Sequence, residues 1–490
     1  MFFKKVMTRF ILVIVFLFLS ACATITSQPK DHSILSPQSC LAFYSEFDDF
    51  IDDEDIRDVQ ATLVSDFPFL SINRFLDSFK FELDSDEKLD YWLLQLADLN
   101  IEARQVEWKN LSRSSQEKLR NNFKFTQSLS QYVSECSSLL LTELSEDDKR
   151  QVISSVKVKD DYSAAQRFFG VYPLTSLFVS RQINKHQELA KKSFEKSLSE
   201  IPVKGRLVRY SINSEIQSDK IEFDRKNPLN IPVVDDEALD QLFIQHAPII
   251  EVDEEDGNDV IGKVGLDDKG YPKFSNEQSV FYVLPSYIKF NDEVLLQLNY
   301  VFWFSSRPRK STFDIYSGRL DGLIWRVTLD SSGEPIVYDS VHNCGCYHKF
   351  FLTDKILLNE DVASQEREPP FVAQKNVNFK AGSELVLRVG SVAHFLNRVY
   401  VADSLGEAKN IDIKAYANLR SLNWNGKRRS LFANDGLVKG TARAERWLLW
   451  PMGVPSAGAM RQWGHHAVAF VGKRYFDDSN LLDKYFTIKP

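Results

Sequence analysis

The stretch Val294-Leu-Leu-Gln-Leu-Asn-Tyr-Val-Phe-Trp-Phe304 decides the fold class of the chain. Apolar residues fill both alternating sets of positions, and only Gln297 and Asn299 interrupt one of them, which is typical of a long strand that is buried on both faces. Residues 322–329 and 336–342 are two further β-rich runs that follow after short connections. Three successive strands joined in this way predict an antiparallel meander.

The last of these runs leads into a cluster of potential metal ligands, Ser340-Val-His342-Asn-Cys344-Gly-Cys346-Tyr-His348. The ligands occupy alternate positions: His342, Cys344, Cys346 and His348. On a straight strand they would form a row roughly 20 Å long, which is too long for one ion. A bend at Gly345, which readily adopts positive φ, would fold the histidines toward the thiols and permit a zinc or copper site. The same bend would also allow a Cys-X-Cys disulfide or redox pair, and a third interpretation is a packed row with a structural role.

Histidines elsewhere in the chain are candidates to complete a metal shell. They are His246, His394, His465 and His466. Adjacent histidines on a strand point to opposite faces, so at most one of the last two would join a given site. Glu445 is the candidate base toward a metal-bound water. Asn299 and Arg326 are candidate substrate-binding residues, because an amide and a guanidinium hold carbonyl or carboxylate groups well, although a solvent-facing sheet carries the same residue types.

The first 22 residues have the pattern of an export signal. Basic residues precede a short apolar run at residues 10–18, and Leu19-Ser-Ala-Cys22 follows directly. This resembles the signal peptide and lipobox of bacterial lipoproteins. The resemblance implies cleavage before Cys22 and acylation of that cysteine, which would anchor the chain to a lipid bilayer. Ala23 after the cysteine implies an outer-membrane address facing the periplasm, whereas the alternative is an uncleaved signal anchor.

Composition excludes some functions and supports an oxidising compartment. The formal charge of −8, with 26% charged and 43% hydrophobic residues, is ordinary for a globular protein, and no basic or repetitive segment favours nucleic-acid binding. Apart from Cys22 and the local pair at Cys344 and Cys346, the chain has Cys40 and Cys136. These last two are the natural disulfide partners if the local pair is bonded or metallated, although both could also be free.

The changing hydrophobic period predicts an α+β chain, with a helical part followed by a mainly antiparallel β-rich part. We expect a signal peptide at 1–21, a lipidated tether at 22–38, a helical domain at 39–200, a connector at 201–240, a β-rich domain carrying the cluster at 241–400, and a mixed α/β segment at 401–490 packed on the β domain. Within the helical domain, Leu89, Trp92, Leu93 and Leu96 recur at three- and four-residue steps behind a Ser85 cap.

Three further segments resemble uncharacterised envelope lipoproteins of proteobacteria. These segments are Trp303-Phe-Ser-Ser-Arg-Pro308, Arg319-Leu-Asp-Gly-Leu-Ile-Trp-Arg-Val-Thr328 and Cys344-Gly-Cys-Tyr-His348. The resemblance covers about residues 240–480 and implies no particular activity. Two functions therefore stay open. One is a metal-dependent site that hydrolyses an envelope substrate. The other is a non-enzymatic binding or assembly lipoprotein in which the helical domain meets an envelope protein or cell-wall partner.

Overall fold

The computed structural model describes residues 35–213, 223–377, 384–404 and 406–489. The expected signal peptide, most of the tether and Cys22 lie outside these residues. Helices dominate the first part of the chain and several sheets the rest, so the α+β prediction is confirmed. No helix in the described ranges is long and apolar enough to cross a membrane.

The N-terminal part is a helical layer around a β-hairpin. Its elements are α1 (Pro37–Asp53), β1 (Thr62–Val64), β2 (Phe67–Ile72), α2 (Arg74–Asp77), α3 (Asp86–Asn110), α4 (Arg113–Phe123), α5 (Leu129–Thr142), α6 (Glu146–Ser155), α7 (Ala164–Phe169) and α8 (Tyr172–Glu195). The Ser85 side chain caps α3 by accepting from the Lys88 N–H, as the sequence predicts. A disulfide joins Cys40 of α1 to Cys136 of α5 inside an aromatic core, which confirms the predicted disulfide bond. The hairpin was not predicted.

The β-rich part contains the predicted meander at the centre of a larger sheet. Its strands are β7 (Val280–Phe290), β8 (Glu293–Arg307), β9 (Gly318–Leu329), β10 (Pro335–His342) and β11 (Lys349–Leu352). All neighbours in this series pair antiparallel. β13 (Val372–Gln374) and β17 (Asp412–Ala415) extend the two edges with parallel pairings and complete a seven-stranded sheet.

A second sheet of five strands covers one face of the first. It runs in the order β15 (Leu396–Ala402), β14 (Glu384–Val389), β4 (Ile249–Glu254), β3 (Arg206–Ser211) and β16 (Lys409–Asn410). Apolar side chains from both sheets, from α8 and from α9 (Asp236–Gln245) form one core between them. We call this the inner face of the seven-stranded sheet. Its opposite, outer face packs against residues 416–476.

Short elements complete the fold. They are β5 (Lys263–Leu266), β6 (Pro272–Ser275), β12 (Ile356–Leu358), α10 (Glu360–Gln365), β18 (Leu422–Trp424), β19 (Lys427–Arg429), α11 (Glu445–Leu449), α12 (Leu481–Tyr485) and β20 (Phe486–Ile488). The C-terminal segment contacts the helical layer as well as the β-rich part. Buried Arg420 pairs with Asp58, and the Tyr162 hydroxyl donates to Ala469 O at 2.7 Å. Both contacts join the C-terminal segment to the helical layer.

Candidate thiol and histidine site

The bend at Gly345, one of the two conformations that the sequence left open, is present at the end of β10. Gly345 has φ +90°, its N–H donates to His342 O at 2.7 Å, and the His342 N–H donates to Cys346 O at 3.0 Å. A Cβ at Gly345 would lie 2.5 Å from Ala467 O, so a larger residue would have to push the C-terminal segment away. The turn therefore needs glycine for its backbone conformation and for this close packing.

The bend does not bring the two histidines of the cluster together. His342 lies on the inner face, where its Nδ1 is 3.5 Å from Asp321 Oδ1. His348 lies on the outer face, where its Nε2 is 2.8 Å from Asp339 Oδ2. Within the described residues, no group of three or more His, Cys, Asp or Glu side chains is arranged to hold a metal ion. The site of two cysteines and two histidines that the bend was expected to permit is therefore not assembled.

The bend does bring the two cysteines together. Cys344 and Cys346 are buried and reduced, with 3% and 8% of their surface exposed, and their thiols hydrogen-bond to each other. This contact lowers the pKa of Cys344, with Arg443 acting in the same direction, and it raises the pKa of Cys346 well above its usual value. The directions of these two shifts favour Cys344 as the thiol that ionises first and therefore as the nucleophile.

Two charged residues from the start of α11 flank the thiols. Burial raises the pKa of Glu445, and its charge opposes ionisation of both cysteines. Arg443 is held by Leu320 O at 3.0 Å and by Asp321 Oδ1 at 3.3 Å. The predicted base Glu445 therefore does lie in the electrostatic environment of the cluster. Its neighbours are thiols and a guanidinium.

Asp321 connects Arg443 to a buried histidine chain. His394 Nδ1 is 3.0 Å from Asp321 Oδ2, and its Nε2 is 3.2 Å from Asp259 Oδ1, the latter being an ion-pair contact without good hydrogen-bond alignment. Burial would lower the pKa of His394, but the two carboxylates outweigh burial and raise it. The ring stacks on Phe304 with centroids 3.9 Å apart. The two carboxylates, one facing each ring nitrogen, therefore favour the protonated form of His394.

His342, on the other side of Asp321, stays neutral. Burial lowers its pKa to about 4, although Asp321 acts in the opposite direction. Its Nε2 has no hydrogen-bond partner among the described residues. Because Nδ1 faces a carboxylate, the lone pair of Nε2 is available. A general base and a histidine metal ligand both have this arrangement.

Lys349 adds an unusual cation on the same face. It pairs with Ser340 across β10 and β11, and so lies on the inner face beside His342. Burial lowers the pKa of Lys349 to about 8, and its Nζ has no partner in the described part of the chain. The ring centroids of Tyr347 and Phe395 are each 5.8 Å from Nζ. Sequence reasoning missed Asp321, Arg443 and Lys349. Asp321 and Lys349 are charged residues inside strands, which is a local signal, whereas Arg443 lies in a loop and has no such signal.

The other candidates from the sequence lie elsewhere or have partners. His246 contacts the backbone of Gly333, in the turn before β10, at the opposite end of that strand from the cluster. His465 uses both nitrogens, toward Asp161 Oδ1 and Val59 O. His466 is buried against the backbone of Asn343, and neither of its nitrogens has a well-aligned hydrogen-bond partner in the described ranges. Among the remote histidines, only His394 joins the His342 network.

The two candidate substrate-binding residues are buried on the outer face instead of facing solvent. Asn299 donates to Leu284 O and to the Ser286 hydroxyl, and Arg326 forms a two-pronged pair with Asp339 at 2.8 and 2.5 Å. Both are 1% exposed or less. The expected polar sheet surface is instead an internal layer covered by the C-terminal segment.

Comparison of the chain with protein-family models, with curated proteins and with solved structures finds no match. The resemblance to envelope lipoproteins therefore stays a prediction.

Proposed function

We propose that this chain is a lipid-anchored protein of the bacterial cell envelope whose chemical centre is the dithiol of Cys344 and Cys346, active in thiol–disulfide exchange. The observation that carries the proposal is the contact between the two thiols at the Gly345 turn. The lipobox around Cys22 supports the location, an outer-membrane anchor facing the periplasm, and a compartment of that kind supplies disulfides.

The exchange starts at Cys344, whose thiolate attacks one sulfur of a disulfide RSSR. A mixed disulfide forms on Cys344, and RS⁻ leaves and takes up a proton. Cys346 then loses its proton and attacks the Cys344 sulfur, which closes the Cys344–Cys346 bond and releases the second RS⁻. Two protein thiols are oxidised, and one disulfide is reduced to two thiols. Because the cysteines are 3% and 8% exposed, a low-molecular-weight disulfide fits the site better than a folded protein does.

Glu445 and Arg443 have opposite effects on the ionisation of the two thiols. Arg443 favours the Cys344 thiolate and therefore the first attack. Glu445 disfavours charge on both sulfurs, and as a buried carboxyl group with a raised pKa it is suited to receive the Cys346 proton before the second attack. Both are positioning or proton-transfer groups in this scheme, and the sulfurs form and break every bond.

The test uses the chain from residue 23 onward, which keeps every described residue. It is equilibrated with mixtures of reduced and oxidised glutathione, quenched with a thiol-alkylating reagent and analysed by mass spectrometry. We expect a Cys344–Cys346 disulfide in the wild-type chain and a trapped glutathione adduct on Cys344 in Cys346→Ser. Cys40→Ser/Cys136→Ser is the matched control, because it removes the other cysteine pair and should leave this exchange unchanged. Thiols that stay reduced and unalkylated in the folded chain would overturn the proposal.

A metal site is the second candidate, and one observation favours it. His342 has a free Nε2 and a carboxylate behind Nδ1, the support that histidine ligands of metals usually have. Zinc or copper would be held by the Cys344 and Cys346 thiolates, with His342 as a third ligand after a local rearrangement. Metal analysis of protein prepared without chelator decides between the candidates. About one ion per chain, lost in both Cys344→Ser and His342→Ala, would favour the metal site over exchange.

A further inference from the structure

The helices α7, α8 and α11 expose a group of large apolar side chains. They are Phe168, Phe169, Leu174, Phe178, Trp447 and Leu448, each between 61% and 78% exposed. Single exposed apolar residues are normal on a protein surface, but a contiguous group of this size marks an interaction site. We call this group the docking face.

The docking face is continuous although its residues come from two distant parts of the chain. α11 leads directly into the Trp450–Met452 turn, and the Arg167 Nε–H of α7 donates to Met452 O at 2.8 Å. Gly170, between α7 and α8, lies so close to this turn that a Cβ there would be 2.5 Å from Pro451 Cα. The helices are therefore held side by side by a backbone contact that only glycine permits.

α8 directs its apolar and basic residues away from the protein. On its inner side Ser176 is buried, and the Ser180 hydroxyl and the Gln187 amide donate to backbone oxygens of Arg367 and Pro369. The outward residues recur at four- and three-residue steps, which places them on one helix face. In order, they are Leu174, Phe178, Arg181 and Lys185.

The charge of this region is opposite to that of the whole chain. In residues 164–196 basic residues outnumber acidic ones by six to two, whereas the full chain has a formal charge of −8. Apolar side chains lie at the start of α8, and basic ones follow along the same face. Helices that lie in the interface of a membrane have this composition: the apolar groups enter the acyl region, and the basic groups reach the anionic headgroups.

We propose that the docking face lies on an anionic bilayer surface. Phe168, Phe178 and Trp447 would enter the headgroup region, while Arg181 and Lys185 contact lipid phosphates. The lipid anchor expected at Cys22 would hold the chain at a membrane surface, where the docking face could make this contact. An anchor and a basic apolar surface together would fix the orientation of the protein on the membrane, which a tether alone does not do. The proposal does not depend on thiol chemistry.

Vesicle sedimentation tests the proposal with the chain from residue 23 onward, which lacks the anchoring cysteine. The probes are vesicles of equal parts phosphatidylethanolamine and phosphatidylglycerol, and vesicles of phosphatidylcholine alone. We expect binding to the first and little to the second. Arg181→Gln/Lys185→Gln should weaken binding about thirtyfold, from the usual contribution of a basic residue near an anionic surface. Phe168→Ser/Phe178→Ser should weaken it at least as much.

Matched controls are available, because Phe81 and Phe313 are 95% and 90% exposed but lie outside the docking face. Phe81→Ser/Phe313→Ser should bind vesicles like the wild-type chain. Equal binding by all variants, or no binding by the wild type, would overturn the proposal. So would a wild-type dimer in sedimentation equilibrium that Phe168→Ser/Phe178→Ser converts to monomer, because the docking face would then be covered by a second copy.

Discussion

The pair of Arg420 and Asp58 gives a sharp test of how the C-terminal segment is fastened to the helical layer. Arg420 is 2% exposed, its Nε is 3.0 Å from Asp58 Oδ1 and its Nη2 is 2.5 Å from Asp58 Oδ2, and a third nitrogen contacts Glu102. In Arg420→Met the Asp58 carboxylate stays buried with only the Gln462 amide as side-chain donor. Removing one partner of a buried ion pair costs about 3 to 5 kcal/mol, so we expect a loss of that size in the free energy of unfolding.

Arg57 is the matched control, because it also pairs with carboxylates but lies at the surface. Its side chain is 23% exposed, and that of its partner Asp52 is 67% exposed. Arg57→Met should therefore cost no more than about 1 kcal/mol. Asp58→Asn/Arg420→Met should be more stable than Arg420→Met alone, by about 1 to 3 kcal/mol, because the unpaired buried charge is gone.

Urea unfolding of the chain from residue 23, followed by tryptophan fluorescence and far-UV circular dichroism, measures these differences. Coincident transitions by both probes are required before free energies are extracted. A loss in the free energy of unfolding in Arg420→Met as small as that in Arg57→Met would contradict the prediction. A separate unfolding transition of the helical layer that Arg420→Met leaves unchanged would contradict it as well.

Three further predictions follow from single features of the structure. Cys40→Ser/Cys136→Ser should lower the free energy of unfolding by up to about 4 to 5 kcal/mol, because the disulfide closes a loop with a sequence separation of 96. Wild-type protein treated with reductant should lose the same amount. A variant as stable as the wild type would contradict the prediction. Burial lowers the pKa of His466 to about 3, so its protonation favours the unfolded chain as the pH falls below the unfolded value of about 6.5. The stability lost between pH 7 and pH 5, measured by urea unfolding, should be about 2 kcal/mol smaller in His466→Gln than in wild type, and an equal loss in both would contradict the prediction. Glu445 raises the pKa of Cys344, so Glu445→Gln should shift the pH profile of Cys344 alkylation to lower pH. A shift to higher pH would show that the Glu445 charge does not oppose ionisation of Cys344.

The central meander was predictable because its strands are long and apolar and follow one another along the chain without an intervening helix. Residues 294–304 have apolar side chains at nearly every position, and the strand they predict is β8, with sheet neighbours on both sides and packed cores on both faces. The five-stranded sheet was not predictable in the same way. β4 and β14 pair in parallel although more than a hundred residues separate them, and no local period encodes such a partner.

The features of the candidate site also fall into two groups, those with a local sequence signal and those without one. The Cys-X-Cys pair and the bend at Gly345 could be read from the sequence, because one residue type and one local conformation define each of them. Asp321, Arg443 and Lys349 could not, because their importance comes from burial beside groups that are distant in sequence. The same limit applies to Asn299 and Arg326. Their polar side chains suggest a solvent-facing surface, but the C-terminal segment, which is distant in sequence, covers them.

The separation of His342 from His348 has a simple cause in the register of β10 and β11. Their paired residues include Ser340 with Lys349 and Asp339 with Phe350, so each pair joins an odd position to an even one. Residues that are directly opposite share a face, and residues two apart on one strand do so as well. His348 therefore shares the outer face with Phe350 and Asp339, while His342 shares the inner face with Ser340. On a straight strand, alternate spacing would align all four ligands on one face. Because the chain reverses at Gly345, the two histidines lie on opposite faces of the sheet instead. Only the two cysteines, which lie beside Gly345 in the turn, come together.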